Sequence, residues 1–184
     1  MTSGGASWSL KDPLVRFLGL SILLYIGWQL LYELVLHPDG RLDRAVIDNL
    51  MWLAGVILTG LGYALLPEPD SENYRTIGIQ GGSDLWVGDP CNGVALFAVF
   101  LIFLIAYPGP LRHKLWFAPL GLLTIHLINA LRIVVLAIVV TIDYELLNFQ
   151  HDYTFYVIVY GWVFLLWAIW VKRFAPGRLR TSGA

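Results

Sequence analysis

The amino-acid sequence predicts an all-α polytopic membrane protein of about five transmembrane helices, with a small β-hairpin ahead of the third. Three observations carry that prediction. Of 184 residues, 58% are hydrophobic and 14% charged, and the mean hydropathy is +0.68, far from the average soluble domain. The apolar residues fall in runs close to the ~20 residues that a bilayer core requires. One sizeable loop, residues 67–90, separates two of these runs and alternates as short strands do. No internal repeat or low-complexity segment is present, so residues 1–184 read as a single transmembrane domain with polar tails at 1–11 and 174–184.

Taken in order, Leu14 to Leu36 forms a first span with Arg16 and Glu33 near its ends. It follows no compact basic and apolar signal peptide, so the first helix itself serves as the insertion signal. His37 to Arg44 is a polar turn, and a second span runs from about Ala45 to Leu66. In the loop, Thr76 to Ile79 and Leu85 to Val87 flank Gly81-Gly82, which predicts a β-hairpin at the membrane surface, a substrate-contacting element or lid. An irregular loop is the competing reading. Asn92 to Tyr107 gives a shorter third span, and Pro108 to Lys114 a basic turn. Leu115 to about Val140 is a long fourth span that contains Pro119, His126, Asn129 and Arg132. Thr141 to Gln150 connects it to a fifth span, opened by His151 and Asp152 and closed by Lys172-Arg173.

Charge then orients the chain. With the tail in the cytoplasm, five spans place eight basic residues inside (Arg41, Arg44, Arg112, Lys114, Lys172, Arg173, Arg178, Arg180) and three outside (Lys11, Arg16, Arg75). The hairpin and Cys91 are then extracytoplasmic, while His37 and His113 sit solvated in cytoplasmic turns. Lys11 and Arg16 fit this arrangement poorly, because the same rule prefers them inside.

The single cysteine excludes an internal disulfide and Cys-x-x-Cys dithiol exchange. It lies in Asp89-Pro90-Cys91-Asn92-Gly93, where Asp89 is a candidate N-cap and Pro90 a candidate first helical residue. Cys91 would then occupy the first turn of a helix whose N–H groups favour a thiolate. Rise per residue tests whether distant residues meet: Tyr107 back to Cys91 is about 24 Å, Leu115 to Arg132 about 26 Å, and Val171 back to His151 about 30 Å. A thiol, a guanidinium and an imidazole therefore reach one depth. Such a trio supports acyl transfer, with a nucleophilic cysteine, a histidine that takes and returns a proton, and an arginine facing the developing anion. Asn129, one turn before Arg132, can orient the guanidinium or a substrate backbone.

Each residue has a plainer reading. Cys91 can be a small apolar filler, Arg132 can snorkel or pair with Asp143 or Glu145, and His151 can cap a helix together with Asp152. His126, six residues before Arg132, falls on another face and reads as a packing or hydrogen-bonding residue. Trp162, Trp167 and Trp170 read as lipid-facing or interfacial. Scattered histidines argue for no metal, and nothing calls for a cofactor. The net charge of −1 by itself says nothing about nucleic acid, and no nucleic-acid partner is expected.

Cys91-Asn92-Gly93 at the head of one span, Asn129-Ala130-Leu131-Arg132-Ile133 late in the next, and His151 opening the following one together resemble the exosortase/archaeosortase family of membrane cysteine transpeptidases. Tyr160-Gly161-Trp162-Val163-Phe164 is similar to the family's final helix. The likeness covers roughly Gly88 to Val171 and is to a compact, core-only exosortase with fewer spans before the cysteine than larger members have. The resemblance implies Cys91, Arg132 and His151 as catalytic residues, with Asn129, Asn92 and Asp89 in support. It also implies the partners: secreted proteins ending in a recognition motif, a transmembrane helix and a basic end, together with a lipid or glycan acceptor. Cleavage would occur near the outer face of the plasma membrane through a thioester. The competing class is a non-catalytic membrane subunit for polysaccharide or protein export, in which Arg132 matters and Cys91 does not. A transporter has less support, since there is no repeat and one deep charge.

Overall fold

The computed structural model describes residues 12–67, 75–142 and 155–175. Helix α1 spans Pro13–Asp39. Asp12 caps it, its carboxylate accepting from the Leu14 N–H at 2.9 Å, and Pro13 fills a position where no N–H is needed. Its last turns widen into a π-helical stretch, Tyr32–Leu36, before closing at His37–Asp39. Gly40 then takes φ +68°, a conformation that glycine adopts freely, and α2 (Arg41–Gly60) begins at the next residue. The polar turn expected over His37 to Arg44 is thus one glycine.

Along α2, Asp43, Ile47, Leu50, Ala54 and Leu58 are buried at helical spacing, so the helix lays one stripe on the core. The segment read as a second span is therefore an amphipathic helix. Among the described residues, three helices, rather than five, are long and apolar enough to cross a membrane: Pro13–Asp39, Leu111–Ile142 and Val157–Phe174. Val94–Ala106 is apolar but shorter.

The hairpin forms as expected. Strand β1 (Thr76–Gly78) pairs antiparallel with β2 (Asp84–Trp86), with Ile77 opposite Leu85. Ile79 adds a bridge to Leu65, so the chain leaving α2 lines the other side of β1. Ile77, Ile79, Leu85 and Val87 turn inward, and Gly82 at the turn lies directly against Thr141.

Helix α3 (Val94–Ala106), α4 (Leu111–Ile142) and α5 (Phe155–Ile169, continued by a π turn Trp170–Phe174) follow among the described residues. Two cores share α4. The first joins the stripe of α2 and the hairpin to Ala130, Ile133, Val134, Leu136, Ala137 and Val140. The second joins Leu96, Phe100 and Leu104 of α3 to Phe117 and Ile125 of α4, and to Val159, Val163 and Leu166 of α5. At about 1.5 Å per residue α4 is ~48 Å long, well beyond a ~30 Å hydrocarbon core. Its first part belongs to a helix bundle and its last part to the cap made with α2 and the hairpin.

Helix α1 runs antiparallel to α3. Phe17 near its start packs edge-on against Phe103 and Tyr107, and Tyr32 and His37 near its end reach Asp43, which binds Asn92 before α3. Placing His37, Arg41 and Arg44 on the face opposite Cys91 is therefore corrected: the α1–α2 corner stands at the Cys91 end. The tryptophans also differ from expectation. Trp170 is fully buried against Phe117 and Phe174, Trp167 stacks on Phe103, and the Trp162 indole donates to the Thr124 hydroxyl. His151, Asp152 and most of the connection Thr141 to Gln150 lie outside the described residues.

Candidate functional site

Cys91 ends a 3-10 turn, Asp89–Cys91, three residues before Val94, the first residue of α3. It is not in the first turn of the helix, so the expected gift of helix N–H groups to the thiol is withdrawn. Nor does Asp89 cap: its carboxylate pairs with Arg75, the residue leading into β1. The capping contact comes from Asn92, whose Oδ1 accepts from the Val94 N–H at 2.8 Å. Gly93 follows at φ +80°, letting the chain turn into α3 with Asn129 packed where a Cβ would sit.

Two groups on α4 hold this turn. The Asn129 amide donates to the Cys91 carbonyl at 2.8 Å, and Arg132 Nη2 lies 3.9 Å from the Cys91 sulfur. Asn129 and Arg132 stand three apart, so one helix face presents both. Of the three residues that helical rise brings to one depth, Cys91 and Arg132 meet, across 41 residues of sequence, with Asn129 beside them, and His151 lies outside the described residues. Half-burial of both Cys91 and Arg132 leaves the pair reachable. A permanent cation within reach of sulfur is attracted to negative charge on it, or on an oxygen developing beside it.

The part that Asp43, Tyr32 and His37 play was not expected. Asp43, 1% exposed, receives three donors: the Tyr32 hydroxyl at 2.8 Å, the Asn92 amide at 2.6 Å and His37 Nδ1 at 3.0 Å. Buried carboxylates require such donors, and here one of them belongs to the residue after the cysteine. The π turn makes the arrangement possible. In a regular α-helix residues five apart lie about 140° apart around the axis, whereas an i→i+5 turn brings them nearly into line. Tyr32 and His37 accordingly stack, with ring centroids 5.5 Å apart, and reach the same carboxylate.

His37, Asp43 and Asp89 also place one nitrogen and two carboxylate oxygens within 4.8 Å of one another, a grouping whose donor types suit a cation. Hydrogen bonds and the Arg75 pair already engage all three residues. A cavity of about 480 Å³ opens beside them, walled by Trp28, Tyr32, Glu33, His37, Asn92, Arg132 and Tyr160. A larger hollow of about 900 Å³ runs along α2 and the hairpin and includes Arg75 but none of the expected site residues. His126 behaves as expected, bonding Asn49 at 2.7 Å away from the thiol. Asp43 did leave a signal in the sequence, since it heads the apolar stripe of α2.

Fold and site together define a multi-span α-helical membrane protein, with one cysteine beside an arginine and a His–Asp cluster. Comparison with protein-family models, with curated proteins and with solved structures finds no match.

Proposed function

We propose that the chain is a compact exosortase-like cysteine transpeptidase, which cleaves C-terminal sorting signals of secreted proteins and passes them to a lipid or glycan acceptor. The carrying observation is the Arg132–Cys91 contact, with Asn129 on the Cys91 carbonyl. Cys91 attacks the scissile carbonyl and the peptide C–N bond breaks. The amine leaves with a proton and the acyl group stays as a thioester. Arg132 faces the charge that develops on sulfur and oxygen, and His151 supplies the proton to the amine. The cavity between the ends of α1 and α5 supports binding of an extended segment preceding a substrate's membrane helix.

Basic residues support a plasma-membrane orientation with Cys91 outside. Arg16, Arg112, Lys114, Lys172 and Arg173 cluster at the Tyr107 end of the bundle, and the sequence beyond adds Arg178 and Arg180. With α1 antiparallel to α3, the start of α1 joins that end, which accommodates the Arg16 that five spans placed badly. Four spans then suffice: α1, α3, the first part of α4, and α5.

The test is processing of a co-expressed secreted protein bearing a motif, a membrane helix and a basic end. Native protein should remove the tail, Cys91→Ala should abolish removal, and Arg132→Ala and His151→Ala should each lower it by about 10²-fold or more. Tail loss that survives Cys91→Ala would move the non-catalytic export subunit to first place.

A further inference from the structure

The proposed reaction makes no use of His37, yet a hydrogen bond and a ring stack hold its imidazole. Nδ1 lies 3.0 Å from Asp43 Oδ2. An ionised carboxylate only accepts, so Nδ1 carries the hydrogen and Nε2 remains the basic nitrogen. Stacking on Tyr32 sets the plane of the ring. The side chain is 43% exposed, and it walls the same cavity as Arg132, whose guanidinium reaches Cys91. A buried carboxylate that orients an imidazole in the wall of a cavity is an arrangement suited to proton transfer.

We propose that His37, oriented by Asp43, is the proton acceptor for the nucleophile that resolves the Cys91 acyl-enzyme, an inference that rests on the cysteine-transpeptidase reading. As the acceptor's nitrogen or oxygen attacks the thioester carbonyl, its proton passes to His37 Nε2. The C–S bond breaks, and the sulfur leaves as thiolate beside Arg132. The other hydrogen stays on Nδ1, donated to the Asp43 carboxylate, whose charge balances the imidazolium until the ring returns its proton to solvent. The division of labour is chemical: His151 serves the departing amine and His37 the arriving acceptor.

The competing explanation is that Asp43 merely needs donors, of which His37 is one of three. His37→Asn separates the two. Its amide stands near the place of Nδ1 and can still donate to Asp43, but it holds no basic nitrogen. Purified full-length protein in detergent is treated with p-nitrophenyl acetate, and the nitrophenolate burst and the mass of the acetylated protein are followed with glycinamide as acceptor. Native protein should gain and clear an acetyl group, and Cys91→Ala should gain none. His37→Asn should acylate at nearly the native rate and clear about 10²-fold more slowly, and added imidazole should restore clearing. If His37→Asn does not fold, His37→Gln takes its place in the same assay. Native clearing rates in a folded His37 variant overturn the proposal while leaving Cys91 chemistry intact. Failure of native protein to acylate at Cys91 overturns the transpeptidase reading, and this proposal with it.

Discussion

At the scale of single residues, Asp43 organises more of the site than any residue the sequence singled out. Its carboxylate is buried, and it ties the α1–α2 corner to Asn92 and so to the cysteine turn. Asp43→Ala would leave the buried Asn92 amide and the half-buried Tyr32 hydroxyl without their acceptor, and should lower stability by about 3 kcal/mol. Asp43→Asn should cost less, because it removes the buried charge while keeping an acceptor. Thermal unfolding in detergent reads the difference, and alkylation of Cys91 by a maleimide should quicken in Asp43→Ala as the turn loosens. An Ala variant that melts with native protein and alkylates at the native rate would mean that the network holds nothing. Cys91 and Arg132 were legible because each is chemically unusual in its run and because helical rise brought them to one depth, with Asn129 one turn away. Asp43 and His37 were not, although Asp43 shares the spacing of the α2 stripe. Their importance depends on which end of the bundle they occupy, and that is a property of packing rather than of local sequence.

At the scale of elements, two local departures from regular helix build the site. The π turn Tyr32–Leu36 aligns Tyr32 with His37, and the break Asn92-Gly93 separates the cysteine turn from α3. Nothing in the composition of either stretch marks a π turn, whereas Pro90 and Gly93 do mark a break, which the reading of Cys91 as helical overlooked. The hairpin was legible from alternation about Gly81-Gly82, and its register follows from turning Ile77 and Leu85 inward together. Gly93→Ala tests the break. A Cβ at φ +80° is strained by about 1–2 kcal/mol, and it would stand 3.0 Å from the Asn129 amide. The variant should lower the melting temperature and displace Asn129 from the Cys91 carbonyl, cutting substrate processing in parallel. Unchanged melting and processing in Gly93→Ala would show that the turn tolerates another geometry.

At the scale of the whole molecule, the sequence counts apolar runs and the fold decides which of them cross the bilayer. Ala45 to Leu66 satisfied a length criterion, yet α2 buries one stripe, heads it with Asp43 and packs beside the hairpin on the far part of α4. Removing that run from the count reverses α1, and the antiparallel contacts of Phe17 with Tyr107 and of His37 with Asp43 agree with the reversal. Single-cysteine variants on a Cys91→Ala background distinguish the two arrangements: Arg41→Cys, which is exposed at the α1–α2 corner, and Lys114→Cys at the opposite end of the bundle. A membrane-impermeant maleimide applied to intact cells should label position 41, and should reach position 114 only after the membrane is opened. Five spans require both positions to be protected together. Labelling of 41 without 114 would place the His37–Asp43 pair on the extracytoplasmic side with Cys91, where a secreted substrate and its acceptor could reach all three. Joint protection would mean that Asp43 and Asn92 cannot meet across the membrane, and would overturn the site as well as the topology.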